Sequence, residues 1–62
     1  MADYRLLLFD RAGQPTHRLD LACKDDAEAI EEAERHTLVN AVEVWRGDSL
    51  IRALPLRPAR GG

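Results

Sequence analysis

Few residues of this 62-residue chain have types suited to chemistry, and they are scattered: one thiol, Cys23, and two imidazoles, His17 and His36. Nucleophilic catalysis needs an activated nucleophile, a base within reach and a pocket that excludes water. Cys23 instead ends a segment in register with Leu19 and Leu21, which is the position of a packed thiol. Zinc needs three or four ligands at recognisable spacing, whereas His17, Cys23 and His36 stand singly, with no C-x-x-C or H-x-x-x-H pattern. The expectation is a non-enzymatic protein with no catalytic residue, no metal and no cofactor.

Four further motifs have structural readings. Six acids between residues 25 and 34 surround an Ala and Ile stripe, as on a solvated helix face. Arg46-Gly47-Asp48, followed by Ser49, spells an adhesion tripeptide, yet a tight turn needs Gly and Asp at those places. Arg52, Pro55 and Pro58 fit the R-x-x-P-x-x-P spacing of polyproline ligands, although two prolines after a strand also simply end it. Gly61 and Gly62 form a bare, side-chain-free tail of the kind that enters a narrow adenylating-enzyme channel. That tail supports an alternative reading: a diglycine-ended β-grasp carrier or ubiquitin-like modifier working with an adenylating enzyme.

Composition limits what can position these residues. Twenty-eight residues are apolar, but nine are Ala, leaving fourteen Leu, Ile or Val and single copies of Met, Phe, Trp, Tyr and Cys. A chain this short buries only about 60% of its unfolded surface, and one core of this size contributes roughly 3–5 kcal/mol. Two domains are excluded. A lone Cys23 forms no intrachain disulfide, so self-association is the expected means of adding stability. Nine basic against eleven acidic residues make no concentrated basic footprint, and nucleic acid is not an expected partner. No apolar run reaches membrane-span length, and MADYR does not begin a secretion signal, so a cytoplasmic location with no membrane partner is expected.

The elements follow from periodicity. Tyr4 to Phe9 is a short apolar run, Asp10-Arg-Ala-Gly13 a turn, and Thr16 to Cys23 an alternating segment, together a β-hairpin whose first strand is central and second an edge. Asp25 caps the following helix with Glu28 as its capping-box partner, Ala29, Ile30, Ala33 and Thr37 share one stripe, and Asn40 closes it in a left-handed conformation. Ala41 to Leu54 reads strand, turn, strand about Gly47-Asp48. That turn sets Trp45 opposite Leu50, Val44 opposite Ile51, Glu43 opposite Arg52 and Val42 opposite Ala53. The result is an α+β domain over residues 1–54, ββαββ, with one helix on one face of a four-stranded sheet and residues 55–62 as a flexible tail. A right-handed crossover permits the reduced β-grasp order 2-1-4-3, with a plain antiparallel order as the alternative.

YRLLLFDRAG, DDAEAI and VEVWRGDSLIRAL resemble a group of short, uncharacterised proteobacterial proteins with the pattern YRL-apolar-F-D-x-x-G, D-D-A-E-A-I, E-x-W-x-G-x-x-apolar, over residues 4–54. The resemblance implies a small α+β domain in a bacterial cytoplasm and transfers no catalytic or binding residue.

One surface stands out. Period-two alternation puts Val42, Val44, Ile51 and Ala53 under the helix and Trp45, Leu50 and Leu54 on the opposite face, around the Glu43 and Arg52 pair. The first strand adds either Leu7 and Phe9 or Tyr4, Leu6 and Leu8, depending on register. Aromatic anchors rimmed by charge mark interfaces, and a small core gains by sharing. The expected function is a protein–protein interaction module that forms a homodimer through this face, its further protein partner unspecified.

Overall fold

The apolar run near the start resolves into two unlike faces of one strand. In the computed structural model, which describes residues 1–57, β1 (Ala2–Phe9) is followed by β2 (Pro15–Cys23), α1 (Asp26–Glu34), β3 (Ala41–Arg46) and β4 (Ser49–Leu54). All neighbouring strands are antiparallel, in the order β2-β1-β3-β4. The architecture is α+β, ββαββ, with β1 central and β2 at an edge as expected.

The reduced β-grasp order 2-1-4-3 is not formed. Its alternative, the plain antiparallel sheet, places β3 rather than β4 beside β1, and three physical features favour that choice. Val42 and Val44, the inward residues of β3, are 1% and 0% exposed, which only an inner strand provides. β4 carries Arg52 and Ser49, both exposed, and charged or hydroxyl side chains suit an edge. The path from β2 over α1 to β3 also spans one intervening strand rather than two, a shorter reach for a nine-residue helix with brief links.

The first turn is set by Asp10, whose Oδ1 accepts from the backbone N–H groups of Ala12 and Gln14, both at 2.9 Å. Gly13 takes φ +83°, a conformation that costs an L side chain but not glycine. In the second hairpin Gly47 has φ +61° while Asp48 does not go positive, the pattern of a type II′ turn.

Asp25 caps α1: its Oδ1 accepts from Glu28 N–H at 2.9 Å. The return bond reaches one residue further back than a standard capping box, with Lys24 N–H donating to Glu28 Oε1 at 3.1 Å. The helix ends at Glu34, and residues 35–39 continue as tighter turns in which Arg35, His36 and Thr37 N–H groups donate to carbonyls three residues back. Asn40 does not adopt a left-handed conformation. Its side-chain amide instead donates to the Phe9 carbonyl at 3.3 Å, tying the post-helix loop to the end of β1.

The core lies between α1 and the sheet. Tyr4, Leu6 and Leu8 of β1, Val42 and Val44 of β3, Cys23, Ala29 and Ala33 are buried, with Thr37 beneath the last turns and Ile30 packed at the margin. The alanines let the helix approach the sheet closely. Residues 55–57 of the expected tail are held at one point, since Arg57 N–H donates to the Thr37 carbonyl at 2.8 Å.

Candidate functional site

Burial of Tyr4, Leu6 and Leu8 under the helix sends Arg5, Leu7 and Phe9 to the other side of the sheet, because successive strand residues alternate. Register carries this across the strands. Leu7 stands between Arg18 of β2 and Glu43 of β3, with Ala53 beyond Glu43. Arg5 stands between Asp20 and Trp45, with Leu50 beyond Trp45, and Phe9 stands beside Ala41. Leu7, Phe9 and Trp45 are half-buried and Leu50 is 48% exposed. No helix lies over this face among the described residues, and the chain measures 39 × 23 × 14 Å, the thickness of one helix layer on one sheet.

Two expected members of the surface are placed elsewhere. A register shift between Val44 and Trp45 adds one residue to β4, so Trp45 still faces Leu50 but Val44 faces Arg52, Glu43 faces Ala53 and Val42 faces Leu54. A slip of one residue turns each later side chain to the other face. Leu54 therefore packs against the helix-side core with Ile51, and Ala53 takes the open face instead. The Glu43 and Arg52 pair is likewise not formed. Glu43 Oε1 accepts from the Trp45 indole Nε1–H at 3.0 Å, which holds the ring back along its own strand and satisfies its polar edge.

The charges on this face are unevenly matched. Arg5 Nε lies 3.7 Å from Asp20 Oδ1, both well exposed, so each offsets the other. Arg18 makes no ion pair among the described residues, and Glu43 has an indole but no cation. At the far end an open groove of about 630 Å³ runs from Phe9 and Ala41 past Glu43 to Ala53, Pro55 and Leu56. Leu38 and Val39 are more exposed, at 68% and 72%, but lie in the turns after α1 rather than on the sheet.

On the helix side, Tyr4 donates its hydroxyl proton to Asp26 Oδ1 at 2.5 Å, and Arg46 Nη1 lies 3.6 Å from the same oxygen with its guanidinium over the Tyr4 ring. The carboxylate bond, helped by burial, pushes the Tyr4 phenol above its ordinary value. This group fastens the first turn of α1 to β1 and β3.

The sequence-level chemistry stays dispersed. Cys23 is buried, and burial together with Glu28, Glu32 and Asp25 pushes its thiol upward, away from the thiolate a nucleophile needs. The His17 ring lies within hydrogen-bonding distance of the Thr16 hydroxyl at 3.2 Å, and His36 Nε2 lies 3.9 Å from Glu32 Oε2. Among the described residues no group of three His, Cys, Asp or Glu is arranged to hold a metal ion. Among the described residues no helix is long and apolar enough to cross a membrane. Pro58, Gly61 and Gly62 lie outside the described residues, and the β2-β1-β3-β4 order is not the β-grasp order on which the carrier reading drew.

Comparison with protein-family models, with curated proteins and with solved structures found no match.

Sequence reasoning left Leu7 and Phe9 undecided and did not identify Arg18, Arg5 and Asp20 as their neighbours. The signal was available in part: Asp10 and Gly13 define the turn, but an additional register shift between Leu8 and Phe9 offsets any pairing counted from it.

Proposed function

We propose that this chain is a small, non-enzymatic protein–protein interaction module that self-associates as a two-fold homodimer through its open sheet face. The observation that carries this reading is the row of Leu7, Phe9 and Trp45 across two central strands with no covering layer of chain among the described residues. A helix that buries only Ala29 and Ala33 builds a thin core, and covering the second face adds apolar burial that one chain of this length lacks. The proposal places the protein in a bacterial cytoplasm, where an unpaired, buried Cys23 stays reduced.

The test is solution mass by light scattering after gel filtration over a hundredfold dilution. The wild-type chain is expected near twice its 7.0 kDa and to fall on dilution. Trp45→Ser is expected near one chain mass at micromolar concentration. A dimer that persists unchanged in Trp45→Ser removes Trp45 from the interface, and a wild-type monomer at every concentration removes self-association.

A further inference from the structure

We infer that the homodimer axis lies along β1 above Leu7, so that Arg18 of each chain meets the partner's Glu43; this rests on the self-association proposed above. The inference comes from the order of one row. Leu7 pairs with Arg18 on one side and with Glu43 on the other, one strand spacing away in each direction, and all three point to the open face. Strands are about 4.8 Å apart, so the cation and the anion sit symmetrically about Leu7 at roughly that lateral distance.

A two-fold rotation about a line parallel to β1, midway between two facing sheets, exchanges left and right. Leu7 then meets the partner's Leu7, Arg18 lies over the partner's Glu43, and Glu43 lies under the partner's Arg18. The Arg18–Glu43 contact thus occurs twice and the Leu7–Leu7 contact once, on the axis, as an isologous interface requires. Sheets packed face to face stand about 10 Å apart, a gap that two leucines fill at the centre and that Arg and Glu side chains span from opposite sides.

Two features of the single chain fit this arrangement. Arg18 lacks a counter-ion among the described residues, while Glu43 is already positioned by the Trp45 indole at 3.0 Å. The incoming guanidinium thus meets a fixed carboxylate beside an aromatic ring, with ion pairing and cation–π attraction at one place. Arg5, in the next row, brings its own counter-ion in Asp20 and leaves no net charge to repel its equivalent. A stable interface needs about 800 Å² per partner. That is about one-sixth of the 4538 Å² the chain exposes, and a broad face of 39 × 23 Å supplies it.

The test is a charge swap read by native mass spectrometry and light scattering at a concentration where the wild-type chain is dimeric, with circular dichroism confirming the fold of each variant. Arg18→Glu alone sets two acids opposite each other twice, and Glu43→Arg alone sets two cations opposite each other twice. Each single variant is expected to self-associate about a hundredfold more weakly or worse, since like charges across an interface cost several kcal/mol. An equimolar mixture of the two is expected to recover a heterodimer, and the double variant Arg18→Glu/Glu43→Arg in one chain to recover a homodimer. Single variants that remain dimeric, or a mixture that stays monomeric, overturn this axis while leaving self-association standing. A wild-type chain that is monomeric throughout the dilution series overturns both.

Discussion

Leu6 and Leu7 are chemically identical neighbours on β1, yet the same truncation should act on them through different equilibria. Leu6 is 0% exposed, in the cluster with Tyr4, Leu8, Val42, Val44 and the helix alanines. Leu6→Ala loses the transfer energy of the missing atoms and leaves a cavity, at a cost of about 2.7–5 kcal/mol. Total stability at roughly 0.05–0.15 kcal/mol per residue is on the order of 3–9 kcal/mol for a chain of this length, so about a third or more is lost. With a urea slope of about 1 kcal/mol per M, the midpoint should fall by about 3 M or disappear, whatever the protein concentration.

Leu7 is half-buried on the open face, where solvent replaces the lost atoms, and Leu7→Ala should cost the single chain less than about 1 kcal/mol. Its effect belongs to association. In the wild type each tenfold rise in concentration should stabilise the dimer by about 1.4 kcal/mol, and Leu7→Ala should flatten that dependence. Urea unfolding followed by Trp45 fluorescence and far-ultraviolet circular dichroism, at two concentrations a hundredfold apart, reads both quantities. The reasoning is refuted if Leu7→Ala lowers the midpoint as far as Leu6→Ala at both concentrations, because the two residues would then share one core.

Two other outcomes follow from the helix side. Asp25→Ala removes the acceptor for Glu28 N–H and should lower the urea midpoint by an amount equal to about 1 kcal/mol, whereas Asp25→Asn, which keeps a side-chain oxygen to accept that bond, should keep most of the wild-type stability. Alkaline stability should fall in two parts: Cys23 and Tyr4 both have raised pKa values in the fold, so their contributions are complete below the ordinary values of 9.0 and 10.0 and are lost as pH rises through the folded ones. Tyr4→Phe should abolish the second part and keep the first; urea midpoints between pH 7 and pH 11 check this, and an unchanged alkaline slope in Tyr4→Phe excludes the phenol as its source.

Much of the fold was legible because its signals are local. Asp25 and Glu28 sit three residues apart before an apolar stripe, and backbone N–H groups at a helix start need acceptors at that spacing. Asp10 with Gly13, and Gly47 with Asp48, mark turns because a carboxylate can satisfy nearby N–H groups and glycine accepts positive φ. The candidate site was legible in Trp45, Leu50 and Glu43, all within reach of one turn. It was misread at Leu54 and Arg52, where one extra residue in β4 reverses the faces, and no residue type in that strand announces a bulge.

The amino-acid sequence by itself determined the order of elements, the capped helix, both turns and the alternation that sets Trp45 and Leu50 apart from the inward Val42 and Val44. Tertiary structure decided which strand lies beside β1, which side of each strand meets the helix, and where Asn40 and Leu54 are spent. Those outcomes depend on pairings between residues far apart in the chain, and their energies come from shared burial that no local window contains. Val42 and Val44 move to the centre because two side chains must be dry at once, and Leu7 is left facing outward because Leu6 takes the place beneath the helix.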